Sequence, residues 1–150
     1  MIIGIDPGKG GGVCALDGDK AEAWNCPDTY YEMARLVERI KRKNKTTVAC
    51  IEKVHAMPRD GVASSFKFGA NYGAWLGILS ALNIGFTEVT PHKWQKHFGT
   101  MPKEKKSRKH RLKELAQQMF PSTKPTLKTA DAILIAKYKN DVSNQGPKLK

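Results

Sequence analysis

The sequence is poor in acidic residues and in cysteine, and its histidines and cysteines lack metal-binding spacing. Only 14 of the 150 residues are Asp or Glu. Cys14, Cys26 and Cys50 are odd in number and include no C-x-x-C pair, while His92 and His97 lack the H-E-x-x-H spacing. A chain of this length buries a sizeable core without disulfides or structural metals. We therefore expect one domain with reduced core thiols, as in an intracellular protein.

Signals for export and membrane insertion are also weak. The chain begins with strand-forming residues and has no basic leader, so we expect no signal peptide. The segment 68–87 is uncharged and contains G-x-x-x-G spacing, which would suit a membrane-spanning helix. Asn71, Ser80 and Asn83 lower its hydrophobicity. We expect a soluble cytoplasmic protein with no membrane partner, and a membrane-attached protein is the alternative.

Positive charge is abundant and unevenly distributed. The chain has 26 Lys and Arg residues, which gives a formal net charge of +12. Such an excess favours a polyanionic partner, nucleic acid before an anionic membrane surface. Seven of these residues fall within 103–113, near the expected start of a helix, where the helix dipole disfavours cations. Phosphate binding accounts for that placement, and a solvated helix face is the alternative.

Alternation and periodicity predict an α/β fold. Apolar or β-branched runs predict strands at 2–5, 13–16, 20–25, 46–51 and 85–90. The first three form an antiparallel meander. Helices are predicted behind the capping box Thr29–Glu32, over 62–83, towards the end of the basic segment and over 128–139. The polar segment 140–150 is predicted to be a disordered tail, which leaves residues 1–139 as the folded domain.

Three carboxylates occupy positions that face the expected core. Asp6 and Glu52 each end an apolar strand, and Asp131 lies on the apolar face of the last predicted helix. Asp6 could cap its own turn, and Glu52 could point to solvent from an edge strand. Asp131 lies on an apolar helix face, where Asp is rarely buried without a partner.

Together the three carboxylates suggest one acidic site, in which like charges cannot all ionise unless a cation joins them. Hard oxygen ligands favour Mg²⁺ or Mn²⁺. In a basic protein, this combination fits metal-assisted phosphodiester hydrolysis.

Four segments of the sequence resemble a known family. They are IGIDPGKGGGVCAL, VACIEKVHAMPRDGVASSFKFGANYGAWLGI, VTPHKWQKHFG and KTADAILIA, in that order. They are similar to the RuvC family of Holliday junction resolvases, particularly its phage and viral branch. The resemblance implies an RNase H-like fold with a five-stranded mixed sheet flanked by α-helices. It also implies a homodimer that nicks two strands of a four-way DNA junction symmetrically, in the host cytoplasm if the protein is viral.

The resemblance also implies roles for particular residues. Asp6, Glu52 and Asp131 match the catalytic, metal-binding carboxylates of the family, with Mg²⁺ as cofactor and Mn²⁺ as a substitute. Lys128 stands at the position of the family's fourth ligand and is expected to replace its charge or to contact the scissile phosphate. Candidate DNA-binding residues are Lys53, Arg59, Phe66, Lys105, Lys106, Arg108, Lys109 and Arg111. Phe66 suits either base stacking or the core.

Two alternatives to a dedicated resolvase remain at this point. Because Lys128 departs from the family pattern, the protein could bind branched nucleic acid without cutting it. It could also be a broader debranching nuclease that accepts flaps or three-way forks.

Overall fold

The computed structural model describes residues 1–146, in which helices cover both faces of a five-stranded mixed sheet. The strands are β1 (Ile2–Asp6), β2 (Gly12–Asp17), β3 (Lys20–Asn25), β4 (Val48–Glu52) and β5 (Gly85–Val89). Their order across the sheet is β3-β2-β1-β4-β5. The first three strands form an antiparallel meander, and β4 runs parallel to both β1 and β5. The predicted α/β class and meander are therefore confirmed, and β4 is an internal strand.

Five α-helices divide between the two faces of the sheet. They are α1 (Tyr30–Lys43), α2 (Val62–Ala81), α3 (Pro91–His97), α4 (Lys105–Met119) and α5 (Ala130–Asn144). The first two pack on one face, and α3, α4 and α5 pack on the other. The capping box at the start of α1 forms as predicted, because the Thr29 side chain accepts from the Glu32 amide and the Glu32 carboxylate accepts from the Thr29 amide.

Strand alternation decides which face each acidic strand end meets. Ile5 of β1 and Ile51 of β4 are partners in the parallel ladder, and both pack towards α1 and α2. Side chains point alternately to opposite faces of a sheet. The next residues along the two strands, Asp6 and Glu52, therefore turn to the opposite face, which α5 covers.

The backbone of α5, and of the turn that leads into it, approaches the sheet closely at two glycines. A Cβ atom on Gly4 of β1 would lie 2.2 Å from the carbonyl oxygen of Ala132, and one on Gly12 of β2 would lie 2.7 Å from the carbonyl oxygen of Lys128. No side chain fits at either position unless the helix moves. This contact explains why every residue from Ala130 to Ala136 is buried and places the first turn of α5 beside the end of β1.

The structure differs from expectation at two points of α2. The helix ends at Ala81, two residues earlier than predicted, and Asn83 follows with a φ of 52°. Phe66 is 79% exposed, so of its two alternatives the core position is wrong. Added Cβ atoms at positions 69, 73 and 77 would meet nothing within 4 Å. Packing on the sheet therefore does not explain this stripe of glycines.

The C-terminal boundary predicted at residue 139 falls inside α5. The helix continues to Asn144 because its last turns are joined to the fold. Asp141 pairs with Lys137 on the same helix and with His97 of α3, where Nε2 and Oδ2 are 2.9 Å apart. Residues 147–150 of the predicted tail lie outside the described residues.

Two further expectations concern the cysteines and the uncharged segment. Cys14, Cys26 and Cys50 are buried, and none forms a disulfide within residues 1–146. Over the same residues, no helix combines the length and apolar character that crossing a bilayer requires.

We expect Gly4→Ala to destabilise the protein by about 3 kcal/mol, because its methyl group would overlap the α5 backbone. The matched control is Gly69→Ala in α2, where the added methyl group meets nothing within 4 Å. That change should be neutral or stabilise by up to about 1 kcal/mol through helix propensity. Urea unfolding measures both. Equal stability of the two variants would contradict the close approach of α5.

Candidate active site

The three predicted carboxylates meet at one end of the sheet. Asp6 ends β1, Glu52 ends the neighbouring parallel strand β4, and Asp131 lies in the first turn of α5. Asp6 and Asp131 are 7% and 4% exposed, whereas Glu52 is half-buried. The convergence predicted from the sequence is present.

A small cavity of about 180 Å³ contains these carboxylates. Its wall is otherwise formed by α3 and α4. The lining residues are Asp6, Glu52, Pro91, Gln95, Lys105, Arg108, Lys109, Leu112 and Asp131. Three acids and three bases therefore share one recess.

Lys109 forms an ion pair inside this cavity. Its Nζ donates to Oδ2 of Asp131 at 2.5 Å, and the lysine side chain is 37% exposed. Burial lowers the pKa of Lys109, but the charge and hydrogen bond of Asp131, together with the charges of Asp6 and Glu52, raise it more. The net pKa therefore lies above its ordinary value. The ammonium group therefore stays protonated and is a permanent positive charge among the acids.

Trp94 connects α3 to the acidic site. The side chain is fully buried, as expected for a core residue, and its Nε1 donates to Oε2 of Glu52 at 2.7 Å. This contact fixes the orientation of a half-buried carboxylate through a rigid aromatic ring. The sequence gave no sign of this bond between Trp94 and Glu52.

Burial and mutual repulsion shift the titration of the strand-end acids. Burial, followed by the charges of Asp131 and Glu52, holds the pKa of Asp6 well above its ordinary value. Burial also raises the pKa of Glu52 to about 7, with Asp131 adding to the shift and the Trp94 hydrogen bond and Lys109 opposing it. Ionising all the acids together therefore calls for more positive charge than Lys109 provides.

The donor set fits a hard divalent cation. Oδ1 of Asp131 is buried and has no hydrogen-bond partner among the described residues, and such an atom is costly unless a cation or water satisfies it. Carboxylate oxygens are the ligands that Mg²⁺ and Mn²⁺ prefer. Over residues 1–146, however, no three His, Cys, Asp or Glu side chains already stand in metal-binding geometry.

The roles expected for Lys128 stay predictions, and its side chain stands apart from the acids. Lys128 precedes α5, its side chain is exposed, and it does not line the acidic cavity. Its amide donates to Thr126 Oγ1 within the turn that leads into the helix. Within residues 1–146, Lys109 is the lysine that forms an ion pair with one of the three carboxylates of the cavity. Sequence spacing offered a signal for this, because Lys109 precedes the buried Leu112 and Ala116 by three and seven residues and shares their helix face.

The remaining basic residues of α4 differ in their surroundings. Lys105 and Arg108 line the cavity, and the Arg108 guanidinium donates to the carbonyls of Pro102 and Lys103 at 3.2 and 2.9 Å. Lys106 is exposed outside it. The exposed Arg111 lies 3.7 Å from the carboxylate of Glu114. The predicted basic cluster therefore divides into residues at the acids and residues on the outer surface.

The other DNA-binding candidates follow β4. Lys53 is exposed, and its amide donates to the carbonyl of Val89 at 2.7 Å, which continues the ladder one residue past β4. Arg59 is exposed in the connection to α2, and Phe66 projects from the first turns of that helix. None of these three residues lines the acidic cavity.

Sequence analysis missed a second recess beside the acidic one. It has a volume of about 550 Å³ and lies at the junction of α3 and α4. Its lining residues are His92, Gln95, Lys96, Gly99, Thr100, Met101, Pro102, Lys103 and Arg108. Gln95 and Arg108 border both recesses. No carboxylate lines this second recess, so it favours an anion.

The raised pKa values predict that the metal-free protein loses stability between about pH 5 and about pH 8. Folded Glu52 keeps its proton up to about pH 7, against an ordinary pKa of 4.5. The folded state binds this proton more tightly, so the stabilisation is complete below the ordinary pKa and is lost as the pH rises through about 7. The shift of Glu52 alone corresponds to a loss of about 3 kcal/mol.

Thermal unfolding in a chelating buffer measures this loss, with Glu52→Gln as the control that keeps an acceptor for Trp94. The variant should show a flatter dependence of Tm on pH than the wild type. Parallel curves would contradict the shift.

Comparison with solved structures finds a shared fold. RuvC from T. thermophilus in complex with Holliday junction substrate is 17% identical, with a TM-score of 0.63 over 97% of this chain and 95% of that chain. A second Thermus thermophilus RuvC structure is 20% identical, with a TM-score of 0.63 over 97% and 96%. Models of known protein families and curated protein sequences give no match. The chain thus has the fold of the RuvC structures, an RNase H-like α/β fold built on a five-stranded mixed sheet.

Proposed function

We propose that this protein is a divalent-metal-dependent endonuclease that cleaves four-way DNA junctions by paired phosphodiester hydrolysis. The observation that carries the proposal is the convergence of Asp6, Glu52 and Asp131 in one cavity bordered by Lys105 and Arg108. Acids suited to a metal and bases suited to a phosphate are what metal-assisted hydrolysis of DNA requires. The shared fold with a RuvC structure that holds a Holliday junction supports the same choice of substrate.

Different residues of the cavity would hold the metal, orient a carboxylate and bind a phosphate. Asp6, Glu52 and Asp131 would hold Mg²⁺ or Mn²⁺, and Trp94 keeps Glu52 turned into the cavity. When bound, the ion supplies Lewis-acid polarisation of the scissile phosphate. Arg108 is held by two backbone carbonyls, so its guanidinium is oriented before DNA arrives and loses little freedom on binding a phosphate.

The DNA strand extends from the acidic cavity into the second recess. His92, Lys96 and Lys103 line that recess, and Arg108 borders both. A flanking phosphate can therefore bind there while the scissile phosphate lies at the acids. Phe66, Lys53 and Arg59 are exposed and available to other arms of a branched substrate, with Phe66 suited to stacking on an unpaired base.

Paired cleavage requires two active sites, and we propose that a homodimer supplies them. The unpacked glycine stripe of α2 and the exposed Val62, which is 89% exposed, support α2 as part of the contact. Sedimentation of the purified protein tests this. A monomer at the concentration used for cleavage would remove the pairing from the proposal.

A second candidate function is binding of branched DNA without cleavage. The ion pair between Lys109 and Asp131 favours it, because an ammonium group already lies where a metal would add its charge. A protein of this kind binds a junction in Mg²⁺ and in Mn²⁺ and cuts it in neither.

Asp6→Asn should reduce junction cleavage by about 10³-fold or more, because it removes a buried metal-ligand charge and keeps the side-chain shape. Junction affinity should be retained. Cleavage of an end-labelled synthetic four-way junction is measured in Mg²⁺ and separately in Mn²⁺, beside gel-shift binding.

A linear duplex, a flap and a three-way fork of matched sequence are the substrate controls for this assay. Paired nicks confined to the four-way junction fit a resolvase, whereas cutting of all branched forms fits a debranching nuclease. Full activity in the Asp6→Asn protein would overturn the assignment of the site.

Lys96→Ala in the second recess should weaken junction binding by about threefold to tenfold and lower the salt dependence of binding by about one counterion. Lys45→Ala is the matched control, because Lys45 is an exposed lysine just before β4, at the opposite end of that strand from Glu52. Gel-shift titrations at several salt concentrations give both quantities. Equal losses in the two variants would mean that only total charge matters.

A further inference from the structure

Lys109 differs from the other cations at the acidic cavity. Its ammonium nitrogen is 2.5 Å from Asp131 Oδ2, and the Asp131 side chain is only 6% exposed. Arg108 instead donates to the carbonyls of Pro102 and Lys103. Among the described residues, Lys109 provides the one ion pair to any of the three carboxylates.

The two oxygens of Asp131 are in unlike states. Oδ2 accepts from Lys109, while Oδ1 is buried without a partner in residues 1–146. A divalent ion held by Oδ1 would be within a few ångströms of the ammonium group, since the two oxygens belong to one carboxylate. Like charges at such separation repel by several kcal/mol even at the effective dielectric constant of a protein surface. Lys109 and a metal therefore cannot both engage Asp131 at full strength.

The ammonium group of Lys109 can move to a second anionic partner. Its side chain is 37% exposed, and Lys105 lies one helical turn before it on the wall of the same cavity. A phosphate bound at that wall offers the ammonium group a second anionic partner. Exchange of a carboxylate for a phosphate keeps the ammonium paired, so the movement leaves no buried charge unsatisfied.

We propose that Lys109 is an internal counter-cation that competes with the divalent metal for Asp131 and releases it when a DNA phosphate draws the ammonium group away. The metal site is then weak in the free protein and is completed on DNA. Lys109 acts here through Asp131 as a positioning residue. The inference rests on the proposed function, because it takes the metal and the DNA from it.

Metal affinity of the DNA-free protein tests the competition. Isothermal titration calorimetry with Mn²⁺ compares the wild type with Lys109→Met, which keeps an unbranched side chain one atom shorter and removes the charge. The variant should bind Mn²⁺ about tenfold more tightly, or more. A merely structural role for Lys109 predicts unchanged or weaker binding, and that result would overturn the inference.

Two controls separate local from global charge. Lys106→Met removes the same charge from an exposed position on the same helix, outside the cavity, and should leave Mn²⁺ affinity within about twofold of the wild type. Lys109→Arg keeps the charge and should not tighten binding. If Lys109→Met does not fold, Lys109→Gln removes the charge while keeping a hydrogen-bond donor for Asp131.

Release by DNA has its own measurement. Reciprocal linkage requires that a junction which displaces Lys109 also strengthens metal binding. Ca²⁺ titrations of the protein are made with and without a four-way junction and are corrected for ion binding by the junction alone. The ratio of the two Ca²⁺ affinities is the coupling factor. The junction should strengthen Ca²⁺ binding by a large factor in the wild type and by a several-fold smaller factor in Lys109→Met. Equal coupling factors in the two proteins would overturn the release step.

The metal-binding measurements and the nuclease assay can contradict the two proposals separately. If the wild type cuts junctions and Lys109→Met shows no gain in Mn²⁺ affinity, the proposed function stands and the competition is wrong. If the wild type cuts nothing and Lys109→Met binds Mn²⁺ more tightly, the competition stands and the nuclease function is wrong.

Discussion

The acidic site depends on how closely α5 lies against the sheet. Gly4 lets the backbone of α5 touch β1 directly, and Gly12 lets the turn before the helix touch β2. These contacts bring Asp131 to the end of β1. The strands contribute through alternation, since Asp6 and Glu52 each follow an isoleucine that faces the opposite side. Backbone geometry from two glycines and from strand alternation thus assembles three carboxylates that are far apart in the sequence.

That assembly concentrates negative charge in a protein whose net charge is +12. Burial and mutual repulsion raise the pKa values of Asp6 and Glu52, and the fold provides two stabilising contacts, the indole of Trp94 and the ammonium of Lys109. The surrounding bases of α3 and α4 extend the positive surface away from the acids along the second recess. A polyanion that approaches this surface is attracted at a distance and meets the acids only at close range.

Much of the fold could be predicted from the sequence because alternation, capping and apolar periodicity are local signals. The strand ends at Asp6 and Glu52 and the capping box of α1 are of this kind. The partners of side chains within the site could not be predicted, because they depend on crossing elements. The sequence predicts a DNA contact for Lys109 and places Lys128 at the fourth ligand position. The path of α4 instead brings Lys109 to Asp131, and the turn before α5 leaves Lys128 exposed. The end of α5 was missed because the polar composition of 140–144 concealed the anchoring of Asp141.

The hydrogen bond from Trp94 to Glu52 has an optical consequence. Trp24 and Trp75 pack with the core on the α1 and α2 face of the sheet, whereas Trp94 lies in the core of the other face. Within the part of the chain that the structure describes, only this third indole donates to a carboxylate of the acidic cavity. Indole emission responds to a change of charge at a hydrogen-bonded neighbour. The protein therefore carries an intrinsic fluorophore coupled to the charge state of Glu52, which reports on the acidic site without any label.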